Sequence, residues 1–380
     1  MKSNSKTLGD IIKAVDERNS DEKTKEVLGI SINKEFMPSV ANIIGTDLSK
    51  YKLLRKSRFA FNSMHTGRDE RLPIALFKRD DIAIVSPAYF MFEIKNKDEV
   101  DEDYLMIWFQ RPEFDHICWY MTDASVRGGL SWDDFCRISI ELPSIEEQRK
   151  IVHDYKVISD RIELLKKINE DLEKTLSYSF NESFEPLSFD MRGDRKLSAL
   201  LSFDNGYAFS SDDYLENGLY KIITIGNVGD GFVDTSKVNF FNNVDDKILN
   251  NYLLKIGDIV ISLTGNVGRT ALIKEENLLL NQRVARVVPK NKMYHSFIYC
   301  LFRQQRTKEY LEGISKGTAQ LNLSPVELLE TQINYIDEDI YEFAAKTAPI
   351  LKSIINYSKE ISSLSLCKNV FLTNLSKEVA

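Results

Sequence analysis

Asp81 and the triplet Glu93-Ile94-Lys95 have the spacing by which some nucleases hold Mg²⁺ on two carboxylates while a lysine polarises the attacking water. The second half of the chain offers Asp258 with no such triplet after it. Ser86-Pro87-Ala88-Tyr89 has one proline of the Pro-Pro-aromatic motif that grips a flipped base, and no Gly-rich strand-turn-helix for a methyl donor accompanies it. Gly265-Asn266-Val267-Gly268-Arg269-Thr270 lacks the lysine and spacing of a phosphate loop, and reads better as a tight turn between two strands. The four His stand apart from one another, and Cys118, Cys136, Cys300 and Cys367 form no C-x-x-C pair. That pattern supports neither a metal site nor a His-assisted nucleophile, and fits the reduced thiols of a cell interior. These residues point to a binding protein, with a Mg-dependent nuclease on Asp81, Glu93 and Lys95 as the alternative.

Arg, Asn, Gln and Ser side chains at glycine-containing loops suit a different chemistry, directional bonds to base edges beside a backbone that approaches phosphate closely. The first half carries Asn62, His65 and Arg68 in one such cluster and Ser125 and Arg127 in another; the second half carries Thr264, Asn266 and Arg269, then Gln282 and Arg283, then Lys316, Thr318 and Gln320. The chain is acidic, with a formal charge of −7, yet residues 50–79 hold nine Lys/Arg against two acids, among them Arg55, Lys56 and Arg58. Residues 264–320 hold ten against four. Two basic stretches in an acidic chain suggest two phosphate-facing surfaces, and a solvated charged face is the alternative for either. Each polar cluster taken alone has an ordinary loop role as its alternative.

The elements that must position these residues come in two copies. Leu8-Gly9-Asp10-Ile11-Ile12 is echoed by Leu197-Ser198-Ala199-Leu200-Leu201, the run at 77–86 by that at 254–262, and Leu130-Ser131 by Leu323-Ser324. Short strands are expected at 82–85, 90–94, 259–263 and 284–288, and helices at 104–111 and 296–310. Each copy ends in a long helical pattern. The first opens with the capping box Ser144 to Glu147 and carries an apolar seam through Ile151, Tyr155, Ile158, Ile162, Leu165, Leu172 and Leu176, with Asn169 in the remaining slot. The second runs through Ile336, Ile340, Phe343, Thr347, Ile350, Ile354, Tyr357, Ile361, Leu364, Phe371 and Leu375, and Pro349 inside it should kink or break it. The two seams are expected to bury against each other, with separate core helices of two domains as the alternative. At 380 residues, 43% apolar and 28% charged, the chain has the size and composition for two or three globular domains. No apolar stretch approaches the roughly 18 residues of a membrane span and no signal sequence is visible, so a cytoplasmic protein is expected. The fold class expected is α/β: two pseudo-repeated domains at 1–143 and 186–335, with long helices at 144–185 and 336–380 pairing as an antiparallel coiled coil.

These residues resemble the specificity (S) subunits of type I restriction-modification enzymes. The carrying segments are residues 59–68, 84–89, 125–135, 257–262 and 321–324, together with the junction Leu142-Pro143-Ser144-Ile145-Glu146-Glu147-Gln148-Arg149-Lys150-Ile151, whose second copy is reduced to Tyr335-Ile336-Asp337-Glu338-Asp339-Ile340. The resemblance implies two target-recognition domains, each reading one half of an asymmetric, gapped double-stranded DNA sequence. It implies helices that set the gap and dock two modification (M) subunits, with restriction (R) subunits in the full complex. It places S-adenosylmethionine, ATP and Mg on those partners and none in this chain, which would be non-catalytic by itself in a bacterial or archaeal cytoplasm. A coiled-coil adaptor that reads no DNA is the remaining alternative.

Overall fold

A computed structural model describes residues 5–40, 45–64, 66, 70–122, 129–184, 195–242, 244–317 and 320–377. The chain divides into two compact units, residues 1–160 with 366–380, and residues 161–365. Each unit therefore takes a share of both long helices, where the sequence pattern set the helices apart as separate segments.

In the first unit a four-stranded antiparallel sheet runs in the order Ile12–Ala14, Phe90–Ile94, Arg58–Phe61, Ile74–Phe77. Its core is aromatic: Phe59 stacks on Phe92 with centroids 4.9 Å apart, and Phe61, Phe109, Phe114 and Phe135 close around them. Helices Glu102–Phe109 and Pro112–Tyr120 cover the core, the first capped by Asp101, whose carboxylate accepts from the N–H groups of Asp103 and Tyr104. In the second unit the strands Leu201–Asn205, Val284–Pro289, Ile259–Ser262 and Thr270–Leu272 follow the same order, again antiparallel. A second sheet of Asn239–Phe241, Tyr220–Ile223, Leu278–Leu280 and Leu253–Leu254 contains the parallel pair Tyr220–Ile223 with Leu278–Leu280. Both copies tie their ends together alike, Ser5–Thr7 with Ser139–Glu141 and Arg195–Lys196 with Gln332–Ile333.

The repeat is real, but its middle segment aligns differently from the sequence reading. Ile259–Ser262 holds the place in its sheet that Arg58–Phe61 holds in the other, while Ala83–Val85 pairs with Lys52–Leu54 in a separate ribbon. Both apolar runs follow a polar turn, and a run of four β-formers carries no mark of its sheet position. The turns that do correspond enter the strands at Ser57, with φ +69°, and Gly257, with φ +100°. The single helix expected at 296–310 is two, His295–Arg303 and Gln305–Ile314, broken at Gln304, whose backbone is extended.

The central helix spans Ile145–Phe184 and the C-terminal helix Asp337–Lys377. The capping box forms: Ser144 N–H donates to Glu147 Oε2 at 3.0 Å and Glu147 N–H to Ser144 Oγ at 3.3 Å. Within the second unit the pairing is antiparallel, since Arg161 bonds Glu360 at 2.8 Å, Asn169 faces Ser358, and the Phe180 ring meets Phe343. Ile162, Leu165, Phe343 and Ile354 are buried there, and Leu172, Ile350, Ile361 and Leu364 are half-buried. Within the first unit Ile151 and Tyr155 pack with Phe371, Leu372 and Leu375, and Ile158 is half-buried. Ile336, assigned to the seam by spacing, lies one residue before the helix and is 57% exposed. The helix runs unbroken through Pro349. The proline is exposed, so the hydrogen bond it cannot donate leaves a carbonyl that water can reach. No helix among the described residues is long and apolar enough to cross a membrane.

Candidate nucleic-acid interface

In the second unit three of the polar clusters meet. The Gly265-to-Thr270 segment is the expected turn, joining Ile259–Ser262 to Thr270–Leu272, with Ser262 Oγ inside it accepting from Arg269 N–H at 3.1 Å and donating to the Asn266 carbonyl. Leu263 N–H donates to the Arg283 carbonyl at 2.8 Å, which brings the Gln282-Arg283 turn alongside. On the other flank Leu323 N–H donates to the Leu263 carbonyl at 2.7 Å, Gly265 N–H to the Leu321 carbonyl at 2.9 Å, and Thr264 Oγ1 to Asn322 Oδ1 at 3.1 Å. Lys316 and Asn322 exchange both backbone bonds, at 2.8 and 3.0 Å, closing a small loop over Gln320. Gly317 in that loop has φ +119° and backs onto the Gln320 carbonyl so closely that a Cβ would collide with it. Asn266, Gln282, Arg283, Lys316 and Gln320 are exposed on this surface, Arg269 is half-buried and Thr264 is buried. Thr318 lies outside the described residues.

The first unit shows the same neighbourhood in outline. Gly129, two residues before the helix-capping Ser131, lies against the Ser63 carbonyl, as Asn322, two before the capping Ser324, lies against Thr264. Half-buried Asn62 turns its Oδ1 back to accept from Met64 N–H at 3.1 Å. His65, Arg68, Ser125 and Arg127 lie outside the described residues.

Much of the basic stretch at 50–79 is paired in space with carboxylates that lie outside it. Arg55 and Arg58 both bond Glu17, each at 2.7 Å, and this holds the Glu17 carboxyl at about 2, chiefly through the bond from Arg55. Lys56 pairs with Asp80 at 2.7 Å, Lys52 with Asp16 at 3.2 Å, Lys78 with Asp103 at 2.5 Å, and Arg79 with Glu26 and Asp81. Arg58 also donates to the Leu53 carbonyl and has a side chain only 13% exposed, so it braces the turn, whereas Lys56 is 59% exposed. Counting charge along the chain missed this because Glu17 and Asp16 lie some forty residues upstream and arrive through tertiary pairing.

The nuclease triplet does not assemble. Asp81 is occupied by Arg79 at 2.9 Å, Glu93 by Lys13 across the sheet at 2.9 Å, and Lys95 donates to the Gly9 carbonyl at 2.6 Å. Among the described residues no group of three His, Cys, Asp or Glu side chains could hold a metal. Asn322 and Glu17 are the residues sequence reasoning left without a role. A signal existed for the first, an Asn two positions before a helix-capping Ser; for Glu17 there was none.

Residues 193–357 match the family model described as the type I restriction modification DNA specificity domain. The chain is 28% identical over 226 residues to the type I restriction enzyme MjaVIII specificity subunit of Methanocaldococcus jannaschii, covering 52% of this chain and 52% of that protein. It is 27% identical over 139 residues to the MjaIX specificity subunit of the same organism, covering 34% of this chain and 32% of that one. The chain thus spans about half the length of the first of these relatives and about a third of the second. Among solved structures, the S subunit of a type I restriction-modification system from M. genitalium matches with TM-score 0.54 and 16% identity, covering 98% of this chain and 96% of that one, a likeness of fold.

Proposed function

We infer that this chain, which belongs to the type I restriction-modification specificity-subunit family, is the DNA-reading subunit of a methylating and cleaving complex. Each unit reads one half of an asymmetric, gapped target, and the paired helices set the gap and dock two modification subunits. The methyl donor, ATP and Mg²⁺ act on the modification and restriction subunits, and this chain supplies no catalytic group. Its place of work in this reading is the cytoplasm.

One observation carries the reading: three separate loops converge in the second unit and expose Asn266, Gln282, Arg283, Lys316 and Gln320 together. Amide and guanidinium groups on one face can bond base edges, while the adjoining loop backbone and Lys316 meet phosphate. In the first unit Asn62, His65, Arg68, Ser125 and Arg127 are proposed for the same task, with Lys56 and Arg55 facing phosphate. Both Arg55 and Lys56 would have to trade an ion pair for the DNA, a modest cost for exposed pairs. Assembled with modification subunits, the chain should bind duplex DNA with an affinity that falls linearly in log–log terms with salt, as phosphate neutralisation requires. Absent or salt-insensitive binding would leave the adaptor reading standing instead.

A further inference from the structure

Three observations meet at Arg283 in the loop cluster. Its backbone has φ +71°, the left-handed region where glycine is unstrained and arginine is not. The residue is exposed and has no ion-pair partner among the described residues, whereas Lys316 pairs with Glu327 and neighbouring Arg286 with Asp204. Its turn is also fastened on every side. Asn281, 6% exposed, donates its side-chain amide to the Tyr214 hydroxyl at 3.2 Å and its N–H to the Ile223 carbonyl at 3.2 Å. Gln282 N–H donates to the Tyr207 carbonyl at 2.8 Å, and the Arg283 carbonyl accepts from Leu263 N–H. Gly206 sits so tightly on the Asn281 carbonyl that any side chain would displace the turn.

We propose that Arg283 reads a guanine in the half-target handled by this unit, placing its two terminal nitrogens on O6 and N7 in the major groove. The proposal rests on the DNA-reading function above. A phosphate contact tolerates a swinging side chain and needs no fixed Cα, whereas a bidentate bond to one base needs its root held still. An arginine held in a backbone conformation that glycine would occupy without strain points to a task for its side chain.

The test uses the full chain assembled with modification subunits, mapping methylated adenines for the parent, Arg283→Lys and Arg283→Gly. Lysine keeps the charge and loses the fork; glycine keeps the turn, so its melting temperature should be no lower than the parent's. Both should broaden one guanine position in the second half-target, by roughly ten- to a hundredfold in preference, and leave the first half unchanged. A half-target without guanine, or a uniform drop in methylation with the motif intact, overturns the assignment and makes Arg283 a phosphate contact or nothing. Exchange of residues 1–143 for those of another family member is run beside it. If the exchange alters the first half-target while the Arg283 variants leave the motif intact, this assignment fails and DNA reading stands; if the exchange alters nothing, DNA reading fails as well.

Discussion

Glu173 on the central helix offers the sharpest energetic test, because its side chain is 11% exposed and ties the helix to its unit by charge. Its carboxylate accepts from the Tyr299 hydroxyl at 3.1 Å and from Arg303 Nη1 at 2.7 Å, and pairs with Lys274. Glu173→Ala takes away the acceptor of the buried Tyr299 hydroxyl proton, leaving that oxygen only its bond from Arg303 Nη1 at 3.2 Å, and leaves two cations without their shared carboxylate. Removing one member of a buried pair costs about 3–5 kcal/mol. Here Arg303 and Lys274 keep 25% and 31% side-chain exposure and Arg303 retains Asp230 at 3.9 Å, so water and that carboxylate recover part of the loss. We expect about 2–3 kcal/mol. For a unit of residues 161–365 that is a fall in melting temperature of roughly 4–12 °C. Glu173→Gln keeps the volume and the Tyr299 bond and should lose less, about 1–2 kcal/mol. Calorimetry with urea titration on the full chain reads both. A loss under about 0.5 kcal/mol for Glu173→Ala would refute the reasoning, since exposed pairs behave that way and buried ones do not.

Four further outcomes are expected. Glu17 has its carboxyl lowered from 4.5 to about 2, so its contribution to stability is complete above pH 4.5 and disappears as pH falls towards 2; Glu17→Gln should flatten the acid side of the stability profile in that window, and an unchanged profile refutes the Arg55–Glu17–Arg58 account. Pro349→Ala should raise stability by about 1–3 kcal/mol in denaturant titration, since it restores a helical donor in an unbroken helix; a loss would mean the helix depends on the proline. Gly317→Ala should disrupt the Lys316–Asn322 loop and weaken DNA binding several-fold at little cost to melting, read by binding isotherms at fixed salt. Four residues inserted beside Asn169 add ~6 Å and about 400° of helix and should lengthen the methylated gap by one or two base pairs, whereas two residues should abolish assembly; an unchanged gap means the helix does not measure the DNA.

The sequence was most legible where a periodic pattern met a local cap. The seam from Ile151 to Leu176 and the Ser144 capping box predict a helix that opens within a residue of the observed one, because both signals are local. The break allowed for at Pro349 does not occur, because Phe343, Thr347 and Leu351 are all buried around it and hold the helix through the missing bond. The repeat was visible at its ends and misaligned in its middle, where Ile82–Val85 and Ile259–Ser262 look alike in composition but occupy different ribbons. The polar clusters at Thr264, Gln282 and Gln320 were legible as residue types, yet their convergence depends on backbone bonds such as Leu263 to Arg283 that no spacing announces. Asp16 and Glu17, which pair with Lys52, Arg55 and Arg58, were invisible for the same reason.

The most direct measurement is a map of methylated adenines in cells that express this chain with the modification subunits proposed for it, before and after residues 1–143 are exchanged for those of another family member. Two units that each read one half predict a gapped, two-part motif in which only the half read by the first unit changes while the other half keeps its sequence. A motif in which both halves change together, or a methylation pattern indifferent to the exchange, would contradict it.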